Sequence, residues 1–159
     1  DMATITKKPN PRIQVGATPW GNAHGLQYTL ATASNGSAIG ADSSAAIASG
    51  DKVRLGRIPA GSTLLDSIVT VSTGFTALVT GNIGFEYVDG VDSTAVPQDA
   101  SYFGAAVALN TAGVYRKATT TAPVTLPKDA WLIITTAGAA NAKAARADVV
   151  LSVASEGVA

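Results

Sequence analysis

Ile83-Gly84-Phe85-Glu86-Tyr87-Val88-Asp89-Gly90 decides the class of this fold. Ile83, Phe85 and Tyr87 take one side of an extended chain, and Gly84 and Glu86, preceded by Asn82, take the other. That period of two is the mark of a half-buried strand, and Asp89-Gly90 supplies the residues that tolerate a tight turn. The three large side chains are therefore expected in the core.

The same pattern extends in both directions. Upstream, Leu26, Tyr28 and Leu30 alternate with Gln27, Thr29 and Ala31, and Asn35-Gly36 offers positive-φ turn positions. Val53 and Leu55 alternate with Lys52 and Arg54, up to a turn at Ile58-Pro59-Ala60-Gly61, and a strand is expected from Thr63 to Ser72. Downstream, strands are expected over Tyr102 to Leu109, Gly113 to Ala118, Thr121 to Leu126, Ala130 to Thr136 and Asp148 to Ala154. Pro123 and Pro127 confine the third of these to an edge or a strand end. Trp131-Leu132-Ile133-Ile134, a continuous apolar run, fits a strand covered on both faces. The Ala-rich stretch 139–147 has no amphipathic stripe and reads as a loop or a single helical turn.

About eight to ten short strands with no amphipathic helix between them predict an all-β, antiparallel β-sandwich of the jelly-roll type. Composition agrees: of 159 residues, 47% are hydrophobic and 14% charged, too apolar for disorder. Much of that apolar content is Ala and Val, which suit pleated sheets. Residues 1–25 keep neither period and hold Pro9, Pro11, Pro19, Gly16, Gly21 and Gly25. They read as an extended N-terminal arm on a sandwich domain of 26–159. The arm's candidate partner-binding residues are the cations Lys7, Lys8 and Arg12 and the apolar anchors Ile13, Val15 and Trp20.

Chemistry is sparse. Eleven Lys and Arg balance eleven Asp and Glu, which argues against nucleic acid as a main partner. No apolar run approaches a membrane span, and residues 1–25 lack a signal-peptide core, so no membrane partner is expected. With no cysteine and the single His24 between glycines, neither a nucleophilic triad nor a zinc site can be assembled. Glu86, Asp89, Asp92 and Asp99 lack the spacing of a calcium loop and read as solvated acids near a turn. Tyr115, beside Arg116 and Lys117, reads as an ordinary strand edge. No catalytic residue, metal or cofactor is nominated, and an enzyme is not expected.

Gly56-Arg57-Ile58-Pro59-Ala60-Gly61-Ser62-Thr63-Leu64-Leu65-Asp66, followed by the Ile83–Gly90 segment, resembles structural head proteins of tailed bacteriophages, in which an Ile-Pro-Ala-Gly turn precedes a strand. The likeness covers roughly residues 51–154, and the family resembled is that of small jelly-roll decoration, or cement, proteins. It implies a virion protein on the capsid surface, assembled in the host cytoplasm. The implied partners are the major capsid protein and other copies of the chain, as a dimer or trimer. The alternative expectation is a carbohydrate-binding sandwich of a fibre or adhesin, which needs exposed aromatics.

Overall fold

The computed structural model describes residues 2–8, 23–117 and 121–155. Ten strands run through them: β1 (Thr4–Thr6), β2 (Ala23–Thr32), β3 (Lys52–Ile58), β4 (Ser62–Thr73), β5 (Thr80–Tyr87), β6 (Asp99–Ala108), β7 (Gly113–Arg116), β8 (Val124–Thr125), β9 (Ala130–Ala137) and β10 (Ala145–Ser155). No helix occurs among the described residues. The stretch 139–147 is irregular until Ala145, where β10 begins.

One sheet has the order β1-β3-β9-β5-β6 and the other β2-β10-β4-β7, with β8 also beside β4. Setting β1 and β8 aside, the antiparallel pairs are β2 with β10, β3 with β9, β4 with β7, and β5 with β6. That is one long hairpin whose tip is β5–β6, its successive pairs falling alternately in the two sheets. Wrapping the hairpin then brings β10 beside β4 and β9 beside β5. The protein is thus an all-β sandwich with jelly-roll winding. The short β1 is the exception, pairing parallel to the start of β3.

Apolar faces meet between the sheets. Leu26, Tyr28 and Leu30 of β2 and Ile83, Phe85 and Tyr87 of β5 are all buried, as the period of two predicts. An edge-to-face series runs from Tyr87 to Phe85 to Tyr102 to Phe103, with centroids 5.8, 5.5 and 4.9 Å apart. Such contacts add about 0.5–1.5 kcal/mol each beyond area burial. The hydroxyl of Tyr102 donates to the Ala122 carbonyl at 2.7 Å and that of Tyr87 to the Val96 carbonyl, so the core aromatics also hold loops. Strand β9 lies third of five, and Leu132, Ile133 and Ile134 are buried.

The loops at one end converge on buried Asn141. Its Oδ1 accepts from the Thr76 N–H and hydroxyl at 3.1 and 3.2 Å. Its Nδ2 donates to the Thr32 hydroxyl at 3.1 Å and to the carbonyls of Gly36 and Lys143 at 3.4 and 2.9 Å. Backbone from this loop passes so close to the Asn35-Gly36 turn that a Cβ on Gly36, whose φ is 87°, would stand 2.0 Å from the Asn141 carbonyl oxygen. Glycine is required there on both counts. Beside this node, buried Asp51 accepts from the N–H groups of Ala3 and Ala48 at 3.0 and 2.9 Å.

Candidate interaction surfaces

Of the residues read as a binding arm, Lys7 and Lys8 are described, and Arg12, Ile13, Val15 and Trp20 lie outside the described residues. Lys7 reaches across to β2 and donates its ammonium to the Thr29 carbonyl. Burial and the charge of Arg146 push the Lys7 ammonium down from its usual range, and Asp148 acts the other way. The Lys8 N–H donates to the Gly40 carbonyl at 2.7 Å. Residues 2–8 are therefore joined to the body, with Thr4–Thr6 in a sheet, and Ala23, at the start of β2, is paired opposite Ala154.

The acids near the β5–β6 turn have separate tasks. Asp89 pairs with Lys128 at 2.9 Å, Asp92 accepts from the N–H groups of Ser93 and Gln98, and Asp99 accepts from Ser101. Glu86 lies instead on the outer face of the sheet, as an ion-pair partner. No group of three or more His, Asp or Glu side chains among the described residues is arranged to hold a metal. His24 sits in β2 opposite Val153, and neither ring nitrogen has a hydrogen-bond partner among the described residues. Tyr115 is partly buried and donates to the Ala108 carbonyl at 3.2 Å, Arg116 pairs with Asp66, and Lys117 covers the Tyr102 ring.

A cluster that sequence reasoning did not assemble stands on the outer face of the β3–β9–β5 sheet. Lys52 and Arg54 both pair with Glu86, at 2.6 and 2.8 Å. The guanidiniums of Arg54 and Arg57 lie 5.6 and 5.1 Å from the Trp131 ring centroid, in cation–π range. Burial pushes the Glu86 carboxyl up, but hydrogen bonds and charge from Lys52 and Arg54 outweigh it and hold the group below its ordinary value. Trp131, expected within a fully covered strand, is instead half-exposed and faces outward.

A bulge makes this arrangement possible. Strict alternation from Val53 would aim Arg57 into the core, but the pairing of β3 with β9 slips between Arg54 and Gly56. Val53, Leu55 and Ile58 all end buried, and Arg57 emerges on the same face as Lys52 and Arg54. Gly56 serves the bulge by leaving room for the Tyr28 ring, since a Cβ there would come within 2.8 Å of it. The Tyr28 hydroxyl then donates to the Arg57 carbonyl at 2.6 Å.

The outer face of the other sheet carries an aliphatic strip. Val150 of β10 and Ile68 of β4 are directly opposed and both exposed, and Val114 on β7 lies one diagonal away, also exposed. Arg116–Asp66 and Arg146–Asp148 ion pairs flank this strip. The two faces of the sandwich thus differ in kind, one carrying cations around an indole and the other apolar side chains between ion pairs.

Neither a family model nor a curated protein matches the chain. Solved structures do match. The chain aligns with one in "Capsid of Ralstonia phage GP4" at a TM-score of 0.68 and 15% identity, over 98% of this chain and 100% of that one. It aligns with one in "Cyanophage Pam1 capsid asymmetric unit" at 0.55 and 15% identity, over 92% and 96%. A third, in "Acidic stable capsid structure of Helicobacter pylori bacteriophage KHP30", aligns at 0.51 and 14% identity, over 83% and 89%. The class these define is a fold: the chain has the β-sandwich of proteins found in bacteriophage capsids.

Proposed function

We propose that this protein is a structural component of a phage virion, specifically a decoration protein that binds the outer surface of the head and bridges neighbouring capsid subunits. The observation that supports this reading is the end-to-end likeness to a chain of a phage capsid, which spans 98% of this chain and 100% of that one. In a repeating shell, one copy needs only modest contacts, because neighbours held in place raise the effective concentration for the next contact. A non-catalytic role follows from the same assignment.

The reach between subunits is assigned to residues 9–22. Arg12 supplies charge and Ile13, Val15 and Trp20 supply apolar area. Burying an indole against a neighbour contributes about 2–3 kcal/mol, less the entropy of ordering the segment. A carbohydrate platform has less support. The outward indole of Trp131 is already faced by two guanidiniums.

Cosedimentation tests the reading. Purified protein is titrated onto capsids of the phage that encodes it, stripped of minor proteins. Saturable binding at a fixed ratio to the major capsid protein is expected, weakened at least tenfold by Trp20→Ala combined with Ile13→Ala. Absence of binding by the intact chain would overturn the decoration role, and unchanged binding by the double variant would remove residues 9–22 from it.

A further inference from the structure

The cluster on the outer face of the first sheet is electrically unfinished. Lys52 and Arg54 both pair with the one carboxylate, Glu86, and a third cation, Arg57, lies over the neighbouring Trp131 ring. Exposed Arg57 is the unmatched member, since it faces Trp131 and no carboxylate among the described residues pairs with it. The chain as a whole is neutral, with eleven charges of each sign. A local excess of positive charge therefore has a negative counterpart elsewhere on the same molecule.

One such counterpart stands at the far edge of the same sheet. Arg57 is opposite Trp131, Trp131 is opposite Glu86, and the adjacent Phe85 is opposite Asp99 at the start of β6. Asp99 is exposed, uses only Oδ1 to hold Ser101, and has no cation partner among the described residues. Near it, in the β5–β6 loop, Val91 is 62% exposed beside Asp92. Strand β6 closes one side of the sheet, and β3 past Arg54 closes the other, because β1 pairs only with Lys52 to Arg54. The sheet thus carries an unmatched cation with an aromatic face at one edge and an unmatched carboxylate with an exposed aliphatic neighbour at the other.

Within one copy the two ends cannot meet. They are three strand spacings apart, roughly 14 Å, beyond the ~8 Å over which exposed charges act at physiological ionic strength. Between copies the complementarity is direct. We propose that Arg57 and Trp131 of one copy receive Asp99 and the Val91–Asp92 loop of a second copy. The contact joins two different patches, so it is head-to-tail, and repeating it gives a ring if the rotation closes. This inference is independent of shell binding and does not require it.

Size-exclusion chromatography with light scattering, on the full chain at micromolar concentration and low salt, tests the contact. A discrete oligomer is expected that loses mass as sodium chloride is raised. Arg57→Glu and the milder Arg57→Ala should each yield monomer that keeps the wild-type far-ultraviolet circular dichroism, and at high salt, where the contact is screened, their thermal unfolding should match wild type. The charge-reversed double variant Arg57→Glu with Asp99→Arg should recover the oligomer. Monomeric wild type, an oligomer indifferent to both Arg57 substitutions, or a double variant that stays monomeric would each overturn the proposal.

Discussion

Asn141 and Glu86 each gather several polar groups, but water stands at different distances from them. Asn141 is 2% exposed, and its partners are backbone groups and hydroxyls of three other segments. Glu86 lies on a sheet face, its partners Lys52 and Arg54 are about one-third exposed, and the indole of Trp131 is close by. Removing a group from the first site strands donors and acceptors that water cannot easily reach. At the second, solvent replaces what is lost. The first cluster therefore belongs to folding and the second is free to serve recognition.

The sharpest way to break this contrast is Asn141→Leu, which leaves Thr32, Thr76 and the Gly36 and Lys143 carbonyls without their amide partner. A loss of about 3 kcal/mol or more is expected, read as a lower urea midpoint with an unchanged slope. A midpoint near wild type would mean that the loops are held by packing alone. Gly84→Ala comes next and tests the sheet beneath the outer cluster. Its Cβ would stand 2.0 Å from the Asp99 carbonyl oxygen, so the start of β6 must shift. About 2 kcal/mol is expected from such overpacking, read by the same titration.

Glu86→Gln should cost about 1 kcal/mol or less, because Lys52 and Arg54 regain solvent. Its pH signature is the more telling reading. The Glu86 pKa is depressed in the fold, so its stabilisation is complete above the ordinary carboxylate value of 4.5 and is lost as pH falls through the lower folded value. Wild type and Glu86→Gln should converge in stability below that value, and curves that stay parallel would remove Glu86 from the acid transition. Smallest of all, at high salt, where the contact between copies is screened, Arg57→Ala should move the urea midpoint by no more than about 0.5 kcal/mol equivalent. A larger loss would make the outward cluster part of the folding machinery after all.

Much of the sandwich was legible in the residues alone. The alternation in Leu26–Leu30 and Ile83–Tyr87 named core side chains correctly, because a pleated strand forces neighbours to opposite faces whatever the topology. Local turn chemistry marked the ends: Gly36, Gly61 and Gly90 all take positive φ. Asn141 gave no such sign. An Asn between Ala-rich neighbours reads as loop, and only the winding brings segments at Thr32, Gly36 and Thr76 around it.

What the sequence by itself determined was the class: short alternating strands, no stretch able to form an amphipathic helix, charges in balance and few groups suited to catalysis. These are properties of local period and composition, and they survive any arrangement of the strands. The tertiary structure alone decided which sheet each strand joins and where the two chemically different outer faces lie. It also decided that Arg57 points outward. A slip in pairing between Arg54 and Gly56 reverses the side to which the rest of β3 projects. The slip depends on the partner strand and on Tyr28 arriving from the opposite sheet, neither of which is local to that stretch of chain.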